Sequence, residues 1–100
     1  MEMLTETSGT MVPLPHILNL SVAEELREKF LQHLPLGTDL ELDASQVETI
    51  TTPCIQVIVA AGLSIEDIGN KLTIHNPSTA FSDAFSDLGL NEYFDNWRSQ

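Results

Sequence analysis

The segment from Ile50 to Lys71 constrains the fold more than any other. Its middle, Ile55-Gln56-Val57-Ile58-Val59, has the β-branched make-up of a buried strand. Three features predict a helix instead. Thr52 followed by Pro53 is an N-cap and first-turn pair. Ile55, Ile58, Gly62, Ile65 and Ile68 recur at helical steps. Gly69-Asn70 then offers the left-handed stop that ends many helices. A strand of that length would also be unusual.

Around this helix the pattern alternates. Ser21 with Glu24 three residues later forms a capping box. Val22, Leu26, Phe30 and Leu34 follow at helical spacing until Pro35 and Gly37. Asp39 to Asp43 alternates acidic and apolar residues, which predicts a short strand burying Leu40 and Leu42, with Asp39, Glu41 and Asp43 on the solvated face. A polar loop runs from Asp43 to Glu48. Leu72 to His75 reads as a second strand, and Asn76-Pro77 repeats the cap-then-proline device. Phe81, Ala84, Phe85 and Leu88 form an apolar stripe ending at Gly89, and Asn91 is placed to cap a last short helix carrying Phe94 and Trp97. Residues 1–12 read as weak N-terminal strands, with a turn at Thr7, Ser8 and Gly9. Pro13 and Pro15 point to an edge strand or its exit. Strands and helices in alternation predict an α/β domain: one small, mostly parallel mixed sheet with helices mainly on one face, spanning residues 1–100.

Charge excludes some functions. Fifteen acidic residues face four basic ones, Arg27, Lys29, Lys71 and Arg98, for a net charge of -11. Phosphate backbones and anionic membranes are held by clustered cations, so neither is an expected partner. The excess acid chiefly aids solubility and attracts basic surfaces. Cys54 is the sole cysteine, which fits a reducing compartment. Met1 to Thr10 lacks a signal-peptide layout, and the longest apolar run, Val57 to Leu63, is too short to span a bilayer. A cytoplasmic location is therefore expected. No phosphate loop, dinucleotide turn or nucleophile elbow appears, so no cofactor and no enzyme activity are expected. His16, His33 and His75 are scattered, without metal-ligand spacing, and read as ordinary surface or edge residues.

Three strings resemble the STAS family, the bacterial anti-sigma-factor antagonists and their relatives. Asp43-Ala44-Ser45-Gln46-Val47-Glu48-Thr49-Ile50 looks like the family's Asp-x-Ser-x-Val-x-x-Ile strand exit. Thr51-Thr52-Pro53-Cys54-Ile55-Gln56-Val57-Ile58 stands where the family has Asp-Ser-Ser-Gly-Leu-x-x-Leu. Leu72 to Ser78 with Phe85 to Leu90 is similar to the family's strand, Pro-Ser helix entry and Leu-x-Leu ending. The Thr-Pro-Cys variant more loosely resembles STAS proteins of bacterial chemotaxis clusters.

The resemblance implies a non-catalytic regulatory module that binds a kinase-like anti-sigma factor or another signalling protein, with release by phosphorylation at the start of the helix. A second possibility it implies is a small STAS subunit of a lipid-transport ATPase complex. The family's usual acceptor serine falls on Pro53 and its glycine on Cys54. Thr52 is then the remaining candidate acceptor, with Thr51 behind it, although a threonine in that position more often only caps the helix. Cys54, one residue into the helix, has a position that can lower a thiol pKa, but is more often a packing residue. The expected partner-binding set is Asp43, Ser45, Thr51, Thr52, Pro53, Cys54, Gln56, Asn76 and Ser78. In a mostly parallel sheet these turns share one set of strand ends. The C-terminal aromatics, including Trp97, read as core first and as an interface anchor second.

Overall fold

The computed structural model describes residues 10–99. The turn at Thr7, Ser8 and Gly9 and the first of the expected weak strands lie outside the described residues. Five short strands and four helices follow in the order β1 (Thr10–Pro13), β2 (Ile17–Leu18), α1 (Leu20–His33), β3 (Leu40–Asp43), β4 (Thr49–Ile50), α2 (Thr52–Asp67), β5 (Leu72–His75), α3 (Thr79–Asp87) and α4 (Asn91–Trp97). A single 3-10 turn, Leu34–Leu36, ends α1.

The main sheet has the order β1-β3-β5, and β2 pairs with β4 beside it. Every pairing is parallel: Val12 lies opposite Leu42 and Leu42 opposite Ile74. β1 is the outer strand of its sheet, as Pro13 requires. Leu40, Leu42, Leu72 and Ile74 are buried, while Glu41, Asp43, Thr73 and His75 on the alternate face are half-exposed. The period-2 pattern thus records a sheet with helices on one side.

α2 forms as expected, but one residue early. Thr51 holds the N-cap position without capping through its side chain, Thr52 is the first helical residue, and Pro53 occupies the first turn. Ile55, Ile58, Gly62 and Ile65 are buried along it, whereas Ile68 is exposed. Its end is a Schellman motif: Gly69 N–H bonds the Glu66 carbonyl, Asn70 N–H bonds that of Ile65, and Gly69 has φ +87.

Three other caps fall elsewhere than the sequence reading placed them. Asn19, not Ser21, caps α1 by accepting from the Val22 N–H at 3.1 Å. Ser78, not Asn76, caps α3 through the Phe81 N–H. Asn76 instead adopts φ +50, the left-handed turn that Asn tolerates well. Leu90 rather than Asn91 holds the N-cap position of α4. For α1 and α3 a nearby residue of similar propensity wins because strand pairing fixes where the helix begins. The short strands β2 and β4 were not expected, since two residues carry no readable period. His33 is 7% exposed, not a surface histidine. Its Nε2 lies 3.0 Å from the Thr38 carbonyl, which satisfies it at the helix end.

The aromatic residues close the core. Phe81, Phe85 and Phe94 form a cluster with centroid separations of 5.1 to 6.2 Å. Trp97 is 3% exposed, stacks on Tyr93, and donates from Nε1 to Glu66 Oε2 at 2.8 Å. Its ring lies against Gly62, where any Cβ would overlap Cζ2 and Cη2. The aromatic concentration at the C-terminal end therefore packs rather than projects.

Candidate functional site at the strand ends

The carboxyl ends of the parallel strands carry three polar segments that bond to one another. The first is Asp43 to Thr52. Asp43 Oδ1 accepts from the Ser45 N–H at 3.0 Å, bending the chain out of β3. That bond, with a further one from the Ser45 hydroxyl, holds the Asp43 carboxyl below its ordinary value. The second segment is the turn after β5. Ala44 N–H bonds the His75 carbonyl at 3.1 Å, and Ser78 N–H bonds the Ala44 carbonyl at 3.1 Å. The Ser78 hydroxyl donates to the Val47 carbonyl at 2.6 Å while accepting the Phe81 N–H. The third segment is the stretch from His16 to Asn19. The His16 carbonyl accepts from Glu48 and Thr49, and the Thr51 hydroxyl donates to the Leu18 carbonyl at 3.0 Å. Backbone bonds of this kind fix loops that would otherwise move.

The expected site residues separate by role. Ser45, Thr52, Gln56 and Asn76 are exposed. Asp43, Thr51, Pro53 and Ser78 are half-buried, and the polar groups of Asp43, Thr51 and Ser78 are engaged within the fold. Cys54 does not belong to the surface. It is 0% exposed, and its thiol points at the Asn19 carbonyl 3.2 Å away. Burial pushes its pKa up, the reverse of what a helix N-terminus does to an exposed thiol. It therefore offers neither a contact to a partner nor a reactive thiolate.

The sequence reading missed the contribution of His16 to Asn19, including a His16 Nδ1–Glu48 Oε2 contact of 3.1 Å across the rim. Asn19, standing just before an apolar periodic run, was a cap signal that could have revealed it.

Ser78→Ala removes one cap and leaves the Val47 carbonyl without its donor. The expected cost is about 2 kcal/mol in urea unfolding. A loss below about 0.5 kcal/mol would mean that Ser78 does not fasten the two loops.

At the opposite strand ends, Asp39 Oδ1 accepts from Asn70 Nδ2 and the Lys71 N–H, and these bonds lower its pKa, Asn70 contributing most. A depressed carboxylate stabilises the fold fully above its ordinary value of 3.8 and loses that effect as the pH falls through the lower folded value. Asp39→Asn is expected to flatten the fall in melting temperature below about pH 4, read by circular dichroism. Identical acid profiles for the two proteins would contradict the assignment.

Among the described residues no cluster of three or more His, Cys, Asp or Glu is placed to hold a metal ion. Among them, too, no helix is long and apolar enough to cross a membrane.

This geometry defines an α/β domain whose polar loops gather at the carboxyl ends of parallel strands. The family model described as Mlab, STAS domain, matches residues 5–95, and the chain belongs to the STAS family. Two solved structures are similar in fold. The anti-sigma factor antagonist SpoIIAA in its unphosphorylated form superposes with a TM-score of 0.76 at 16% identity, covering 98% of this chain and 83% of that one. The Bacillus cell fate determinant SpoIIAA in the phosphorylated form gives 0.74 at 17% identity, covering 98% and 86%. No curated protein matches the sequence.

Proposed function

We propose that this chain is a non-catalytic, cytoplasmic regulatory module of bacterial signalling that docks a protein partner on the strand-end face. The partner is a kinase-like anti-sigma factor or another signalling protein, chemotaxis proteins included. One observation carries the reading. Three loops are cross-bonded into a single rigid rim, through Ser78 to Val47, Ala44 to His75 and Thr51 to Leu18. From that rim Ser45, Thr52, Gln56 and Asn76 present free surface. A surface ordered in advance loses little entropy on docking. The polar groups of Asp43, Thr51 and Ser78 hold backbone and do not converge on a common space, which favours binding over catalysis.

Thr52 is the proposed site of control. Its side chain is exposed at the first position of α2, whereas the Thr51 hydroxyl is spent on Leu18. A phosphate on Thr52 would sit at the positive dipole end of α2 and would add charge at the centre of the face. The fold relative SpoIIAA is known in both unphosphorylated and phosphorylated forms.

Incubation with extracts of the native cell, followed by intact mass measurement, tests the control. One phosphate is expected on the wild type and none on Thr52→Ala. A phosphate retained in Thr52→Ala, or none on either protein, would remove Thr52 from the mechanism. Affinity purification separates the partner classes. Recovery of a transport ATPase in place of an anti-sigma factor would assign the chain to the second reading, a small STAS subunit of a lipid-transport ATPase complex.

A further inference from the structure

A groove of about 350 Å3 runs between α1 and α2 and meets the hydrogen-bonded rim at Pro53 and Gln56. Phe30, Leu31 and Leu34 wall it on one side, and Val57, Ala60 and Ala61 on the other. Leu31 is 49% exposed and Leu63, on the outer side of α2, is 44% exposed. These side chains lie on two helices packed side by side, so the groove is long, shallow and apolar. Grooves of that form take amphipathic helices. From Pro53 to Ser64 the α2 wall extends about 16 Å, the length of about three helical turns.

The charges around the groove decide what fits it. Glu24 and Glu28 lie three residues before Arg27 and Leu31 on the solvent side of α1, and line a concavity there with Ser21 and Glu25. Asp67 stands at the foot of α2, on the outer side with Leu63. Both rims are therefore acidic, while one cation, Arg27, lines the groove itself. A second copy of this chain would bring a net charge of -11 against the same sign. An anionic lipid surface would be repelled likewise.

We propose that the α1–α2 groove receives an amphipathic helix of a protein partner. That helix carries an apolar stripe at i, i+3/i+4 and i+7, basic residues on its flanks, and one carboxylate that meets Arg27. The surface is distinct from the strand-end face, although Pro53 and Gln56 border both, and the inference holds whether or not that face docks a partner.

The test uses the full chain and three synthetic peptides of about 14 residues, long enough to span the groove. One has a leucine stripe, lysine flanks and a single glutamate. The second scrambles the same composition, and the third exchanges the lysines for glutamates. Binding is read by fluorescence anisotropy, and its place by NMR shifts. The first peptide is expected to bind at least about tenfold more tightly than either control, with shifts centred on Leu31, Leu34, Val57 and Ala60. Leu31→Glu and Ala60→Glu, both at exposed positions, should weaken it by about tenfold while leaving the melting temperature near that of the wild type. Equal binding of the scrambled peptide, or shifts outside the groove, would overturn the proposal. So would a wild-type dimer in sedimentation that Leu31→Glu dissociates, because that result gives the groove to a second copy.

Discussion

Trp97→Ala is expected to destabilise the protein by about 3–5 kcal/mol, among the largest effects of any single change. Trp97 is buried, stacks on Tyr93 at 5.4 Å, and ties α4 to α2 through Glu66. The contact with Gly62 makes the effect separable from simple loss of area. Gly62→Ala alone forces a methyl group into the indole ring, an overpacking worth about 1–3 kcal/mol. Against that, alanine in a helix interior gains up to about 1 kcal/mol over glycine. In the Trp97→Ala background the clash is gone and only the gain remains. Gly62→Ala should then be neutral or stabilising. Urea unfolding followed by circular dichroism reads all four proteins, and the cycle isolates the coupling. If Gly62→Ala cost the same with and without Trp97, the packing described for α2 and α4 would be wrong.

Phe81→Ala should cost a similar amount, about 3–5 kcal/mol. Phe81 is fully buried at the start of α3 and its ring meets both Phe85 and Phe94. Because the Ser78 cap lies just before it, the cavity opens directly beneath the rim that joins Val47 to Ser78. Domains of this size are stable by only about 5–15 kcal/mol, so the loss is a large share of the total. Leu88→Ala, from the same apolar stripe but at an exposed position, should change stability by no more than about 0.5 kcal/mol. Equal losses at the two positions, measured by thermal melts, would contradict the core as described.

Much of this fold is readable from the residues. The helix from Thr52 is announced by Pro53, by its buried isoleucines and by Gly69-Asn70, and these outweigh the β-branched run at its centre. Leu40 and Leu42, like Leu72 and Ile74, show a period of two because one face of a parallel sheet is covered. Caps are less legible. Asn19 and Ser21, or Asn76 and Ser78, have similar propensity, and only strand pairing chooses between them. β2 and β4 have two residues each, too few for any pattern, and they owe their pairing to the loops around them.

The site divides in the same way. Which loops share the strand ends follows from the alternation of elements. Which side chains in them face outward does not. Thr51 and Thr52 are chemically identical neighbours, yet one hydroxyl is spent on Leu18 and the other side chain is exposed. Cys54, two residues on, turns inward to Asn19 because it sits on the core side of α2. These differences come from the rotation of a helix whose first residue the sequence places one position too late.

On the function proposed above, a protein partner docks on the rim built by β3, β4, α2 and the turn after β5. Site-specific photo-crosslinking in the native cell tests it most directly. A benzophenone side chain is placed at Gln56 on that face, and in a second protein at Lys71, which is exposed at the opposite end of β5. A discrete crosslinked species should form from Gln56 and disappear when Ser45 and Asn76 are both changed to bulky residues, while Lys71 yields none. Crosslinks of equal intensity from both positions, or from Lys71 alone, would show that the strand-end face is not where this domain binds.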